Sequence, residues 1–93
     1  MFAEVLNTMR QCMRTGRAEL VRHAYDEMND DDLFAFDLEQ CVLTGSIAER
    51  QWDETFNEWK YVIHGESSDG EAMAVIAKLT PQQQAIFVTT YRL

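Results

Sequence analysis

Between Gly45 and Ser46 the spacing of the apolar residues changes, and with it the kind of secondary structure the chain can form. Upstream, Phe2, Val5, Leu6, Met9 and Met13 recur at intervals of three and four, which lays one apolar stripe along a helix. Downstream, Trp59, Tyr61 and Ile63 alternate with Lys60, Val62 and His64, the period of two that sends successive side chains to opposite faces of a strand. A helical part followed by a strand part predicts an α+β domain, with two to three N-terminal helices leading into a four-stranded, mainly antiparallel sheet. Ninety-three residues leave room for one core, so residues 1–93 are read as a single domain.

Gly16 is the expected stop of the first helix, because glycine takes the left-handed conformation that closes helices. A second helix is expected from Arg17 to Met28, with Leu20, Val21, Ala24, Tyr25 and Met28 turned inward. The run Asn29-Asp30-Asp31-Asp32 reads as the N-cap of a third, which places Phe34, Leu38, Cys41 and Val42 on one side and ends before Gly45. Strands are expected at Ile47–Trp52, Trp59–His64, Ala72–Leu79 and Ala85–Arg92. Ser67-Ser68-Asp69-Gly70 supplies a turn, Pro81 breaks the chain before the last strand, and the short connections imply a meander. The near-continuous apolar run Ala72–Leu79 is that of a central strand covered on both faces.

The net charge of −8 is unevenly spread. From Ala24 to Glu58 eleven acids face Arg50 alone, a local net charge of −10, whereas Met1–His23 carries +2 and the remainder is neutral. This balance argues against broad, non-specific nucleic-acid binding, which draws its affinity from many Lys and Arg contacts to phosphate. A local basic face would have to come from Arg10, Arg14, Arg17 and Arg22 together with the sheet's few cations. Cys12 and Cys41 lack the spacing of a secreted disulfide framework and read as reduced, buried thiols. The start, with Glu4 and Arg10, is unlike a signal peptide, and no apolar run reaches the roughly 20 residues that span a bilayer. The cytoplasm is therefore the expected location, with no membrane partner.

No phosphate-binding glycine loop, Cys-x-x-Cys pair or His-Glu-x-x-His motif is present, and neither a cofactor nor a metal is expected. His23 and His64 stand too far apart to suggest a ligand pair, and Asp30-Asp31-Asp32 lacks the alternating ligands and closing glutamate of a calcium loop. Lys60 and His64 share one strand face, where Arg92 is expected to join them; one cation there could hold a phosphate while a neighbour stabilises developing charge. Glu49 and His64 are the candidates for proton transfer. Trp52, Trp59, Tyr61 and Tyr91 are either core residues or stacking platforms for bases, and Tyr91, near the chain end, is the one expected to be available. The plain alternative is that Lys60, His64 and Arg92 are ordinary solvent-facing charges.

Several segments follow one order: Arg22-His23-Ala24, Met28, the acidic run, Asp37-Leu38-Glu39, Thr44-Gly45-Ser46-Ile47-Ala48-Glu49, Ile63-His64-Gly65, Asp69-Gly70 and Val88-Thr89-Thr90-Tyr91-Arg92. That order resembles the bacterial family labelled domain of unknown function 4258, over roughly residues 22–93, with residues 1–21 as a helical addition. The family is in turn similar to the RelE/ParE and BrnT toxin group, in which helices precede a curved antiparallel sheet. The resemblance implies a toxin-like protein, a metal-independent RNA endonuclease held by an antitoxin partner, or else a non-catalytic protein-binding relative of such toxins. It marks His23, Glu49, Tyr91 and Arg92 as motif positions, beside Lys60 and His64 from the strand face. In RNA cleavage Glu49 or His64 would be the base, Lys60 and Arg92 the phosphate clamp, and Tyr91 an acid or a stacker. Self-association through an exposed helix stripe is a third option.

Overall fold

A computed structural model describes residues 2–93. Three helices, α1 (Ala3–Arg14), α2 (Arg22–Asp30) and α3 (Ala35–Thr44), accompany five strands: β1 (Ala18–Leu20), β2 (Ser46–Asp53), β3 (Glu58–Glu66), β4 (Ala72–Leu79) and β5 (Ala85–Arg92). The sheet order is β1-β5-β4-β3-β2. Strands β2 to β5 form the expected antiparallel meander, and β4 is the middle strand of the whole sheet. The α+β class is as expected, but the sheet has five strands and is mixed, because β1 joins β5 in parallel.

That fifth strand replaces the start of the expected second helix. Ala18-Glu19-Leu20 favours a helix locally, yet the Arg17 carbonyl accepts the Ala85 amide (2.9 Å) and the Val21 amide donates to the Phe87 carbonyl (3.2 Å). The unpaired edge of β5 thus overrides propensity, as buried backbone groups must be paired. Gly16 makes this possible. Its φ of +75° turns the chain out of α1, and the Arg17 amide returns to the Cys12 carbonyl at 2.8 Å, the long bond of a Schellman closure. The expected helical addition begins at Met1, which lies outside the described residues; α1 itself places Leu6, Met9 and Cys12 in the same core as the rest.

The acidic run also acts differently from expectation. It closes α2 instead of opening α3: Asp32 takes a φ of +55°, the Leu33 amide bonds to the Met28 carbonyl (2.7 Å) and the Asp32 amide to that of Asn29 (3.2 Å). Asp is among the few residues that enter this conformation readily. The N-terminus of α3 is held from within the helix, where the Asp37 carboxylate accepts the Phe34 amide at 2.8 Å. Tyr25, expected to face inward, is 53% exposed, and Phe34, expected to share a side with the buried Leu38, Cys41 and Val42, is 60% exposed.

One apolar core draws on all three helices. Leu6, Met9, Cys12, Met28, Leu38, Cys41 and Val42 pack with Ile63, Met73, Val75, Ala77, Ala85 and Phe87. Both thiols are free and buried. Since every helix joins this core, all three lie on one side of the sheet, and among the described residues no helix covers the other. The free edge of β5 beyond β1 is closed by α2, whose Glu27 carboxylate accepts the Thr90 amide (3.1 Å). Arg10 fastens α1 to the end of α3, donating from Nε to the Val42 carbonyl and from a terminal nitrogen to that of Gly45, both at 2.9 Å. A cation there satisfies free carbonyls at the negative end of the helix dipole. Arg10→Met is expected to cost about 2 kcal/mol, seen as a lower urea midpoint with an unchanged slope; an unaltered midpoint would show that this clasp contributes nothing.

Candidate functional site

The helix-free face of the sheet follows from the register. Ser46 pairs with His64, His64 with Ala74, and Ala74 with Tyr91, so these four share one row on one face. Next to it, Glu49 pairs with Val62 and Val62 with Ile76; beyond that, Gln51 pairs with Lys60. Val62 and Ala74 on this face are buried yet stand apart from the core cluster. His64 and Tyr91 lie two strands apart, about 10 Å between backbones. Bulges between Ile47 and Glu49 in β2, and in β5 where Ile76 pairs with Thr89 but Ala77 with Phe87, add twist to the surface.

Of the six residues singled out in the sequence, Glu49, Lys60, His64 and Tyr91 meet on this open face; Arg92 and His23 do not. Arg92 pairs with Met73 of the core row, donates from Nε and a terminal nitrogen to the Asp31 carbonyl (3.1 and 2.7 Å), and forms an ion pair with Glu71. It ties the end of α2 to the sheet, so the expected phosphate clamp of Lys60 and Arg92 is split between opposite faces. His23 lies on α2, 3.4 Å from Glu27 and largely in solvent.

The charges of the open face are already matched. Lys60 Nζ lies 3.7 Å from Asp53, and Lys78 Nζ 2.5 Å from Glu58 and over the Phe56 ring. Glu49 accepts a hydrogen bond from Gln51 at 3.1 Å. His64 is exposed and, among the described residues, has no ion-pair partner. The amino-terminal arginines, considered as a basic face, are partly engaged: Arg10 caps α3, and Arg17 donates to the carbonyls of Gln82 and Gln83. Among the described residues no group of His, Cys, Asp and Glu is arranged to hold a metal ion.

The order of segments noted in the sequence has a match. A family of domains of unknown function, DUF4258, covers residues 20–92. The chain belongs to this DUF4258 family. The match takes in everything from the end of β1 to the end of β5 and leaves α1 before it. No curated protein and no solved structure matches the chain.

Within the DUF4258 region lies a residue whose part the sequence did not reveal. Asp37 is buried at the start of α3, and besides the Phe34 amide its carboxylate accepts the Ser68 amide (2.9 Å) and the Ser68 hydroxyl (2.6 Å). Burial alone would push its pKa up. The Ser68 hydroxyl, the two amides and the charge of Arg92 outweigh burial and hold the carboxyl below its ordinary 3.8. Asp37 therefore locks the β3–β4 turn onto α3. An acid three residues after a helix start was the visible signal; its partner, thirty-one residues away, was not. No helix among the described residues is long and apolar enough to cross a membrane.

Proposed function

We propose that this DUF4258 chain is a toxin-like protein that works by binding another protein and not by cleaving RNA. The observation that carries this reading is the matched charge of the open face, where Lys60 and Lys78 are each held by a carboxylate of the same chain. A phosphate would have to displace Asp53 or Glu58 to reach them, against a net charge of −8. General acid–base work also needs a donor and an acceptor within reach of one reacting atom. The backbones of His64 and Tyr91 are about 10 Å apart, with the strand of Ala74 between them.

The kinship with RelE/ParE and BrnT toxins is part of this proposal; the support for it is helices on one side of a twisted antiparallel meander and an opposite face left open. A second reading keeps the RNA endonuclease. It is favoured by the row Ser46-His64-Ala74-Tyr91 beside Lys60 and Glu49, with His64 as base, Lys60 as phosphate ligand and Tyr91 as acid or stacker.

Purified protein incubated with cellular RNA decides between them by mapping of RNA ends. Intact transcripts, with normal growth on induced expression, are expected for the wild type and equally for His64→Ala and Tyr91→Phe. Fragments that vanish with His64→Ala would overturn the binding reading. Co-elution with the product of an adjacent reading frame, coexpressed with the chain, is the matching positive result.

A further inference from the structure

Tyr25 on α2 and Phe34 just before α3 are each more than half exposed, and Phe34 stacks on Phe36 with ring centres 5.5 Å apart. Two hollows open beside them. One, of about 250 Å³, has Met13, Ala18, Leu20, Leu38 and Phe87 among its walls. The other, of about 260 Å³, runs on past Tyr25, Met28, Leu33 and Phe34. Leu20 and Ala35 belong to both, so the two form one apolar groove.

Beside this groove β1 is a sheet edge, paired to β5 alone. The Arg17 carbonyl and the Val21 amide face β5. In a strand the direction alternates, so the backbone groups of Ala18 and Leu20 point the other way, outward from the sheet. The groove thus offers hydrogen-bonding backbone along an apolar floor, the two elements needed for strand addition. Its charge selects the occupant. Glu19 and Glu39 line the two hollows without a cation, and Asp30, Asp31 and Asp32 follow directly on Asn29. Of the cations nearby, Arg14 lies at the adjoining hollow next to Glu39, Arg17 before β1 is held by the Gln82 and Gln83 carbonyls, and Arg22 after it is paired with Asp26.

Resting on the protein-binding reading, we infer that the groove beside β1 is a docking site for an extended, basic segment of a partner protein, which adds a strand to β1 and places apolar side chains in the two hollows. The charge complement is a cation opposite Glu19 and Glu39. A second copy of this chain is strongly acidic from Ala24 to Glu58, and its stretch of positive net charge before Ala24 is already taken up by α1 and β1.

The probe is a labelled peptide of about ten residues that alternates valine and leucine with lysine and arginine. It is expected to bind the full chain, to lose about tenfold in affinity to Ala35→Arg, which fills the shared wall, and about as much to Glu39→Lys. Glu54→Lys, the same charge change at the distant β2–β3 loop, should leave affinity within about twofold. A backbone N-methylated copy of the peptide should bind far more weakly, since it cannot complete a ladder.

Equal loss in Glu39→Lys and Glu54→Lys, unchanged binding in Ala35→Arg, or tighter binding of a glutamate-substituted peptide would each overturn the site. So would a dimer in sedimentation that Ala35→Arg dissociates, because the occupant would then be a second copy. RNA cleavage by the wild type would instead sink the protein-binding reading, a result independent of any peptide titration.

Discussion

Gly65→Ala is expected to destabilise the protein by about 3 kcal/mol, which for a domain of this size lowers the melting midpoint by roughly 12–24 °C. The reason is the closeness of α3 to β3. A Cβ placed on Gly65 would lie 2.4 Å from the Cys41 carbonyl oxygen and 3.0 Å from its sulfur, and one on Gly45 would lie 2.5 Å from the His64 carbonyl oxygen. Both obstacles include backbone, which cannot swing aside as a surface side chain can. The helix must lift from the strand, and Cys41, Val42 and Ile63 then lose contact together. Burial has already pushed the Cys41 thiol up to about 11, so it sits there as a neutral, packed group. Gly16→Ala makes the useful comparison: nothing lies within 4 Å of its Cβ, but φ is +75°. Its cost is conformational alone, about 1–2 kcal/mol. Thermal or urea unfolding separates the two, and a Gly65→Ala protein within about 0.5 kcal/mol of wild type would show that α3 is free to shift.

Asp37→Ala should cost about 3 kcal/mol. It strands the Phe34 amide, the Ser68 amide and the Ser68 hydroxyl, and frees the β3–β4 turn from the helix. Asp37→Asn keeps the shape and removes the charge, which makes the effect depend on pH. The folded carboxyl is held below its ordinary 3.8, so its ionised form favours the folded state above that value. That advantage is lost as pH falls through the folded pKa. The stability gap between wild type and Asp37→Asn should therefore be constant above about pH 5 and shrink below about pH 4. A gap that is unchanged or wider at about pH 3 would mean that Asp37 contributes through packing and not through its charge.

Arg92 bears on the same lock. Its charge helps to lower the Asp37 pKa while its hydrogen bonds hold the Asp31 carbonyl, so it joins the end of α2, the start of α3 and the last strand. Substituting it in a test of catalysis would disturb this joint. His64→Ala and Tyr91→Phe, on the open face, are the cleaner variants.

What could be learned from the residues alone was local. The stripe Leu6-Met9 makes α1, Gly16 ends it, the change of period after Gly45 begins the strands, and the Asp69-Gly70 turn, with Gly70 at a φ of +80°, joins β3 to β4. Each depends on neighbours within a turn or a hairpin, so spacing suffices. Lys60 and His64 were likewise legible as sharing a face, because parity along one strand is fixed. Tertiary structure decided what parity cannot carry between strands. Whether Tyr91 or Arg92 joins that face depends on pairing register, and a bulge in β5 alters the count. The same holds where a distant group competes with a local preference: the open edge of β5 drew Ala18–Leu20 from helix into strand, and the turn at Ser68 gave Asp37 its partners. Hydrogen-bonding groups taken out of water must be satisfied wherever they end up, and only the assembled fold determines which groups those are.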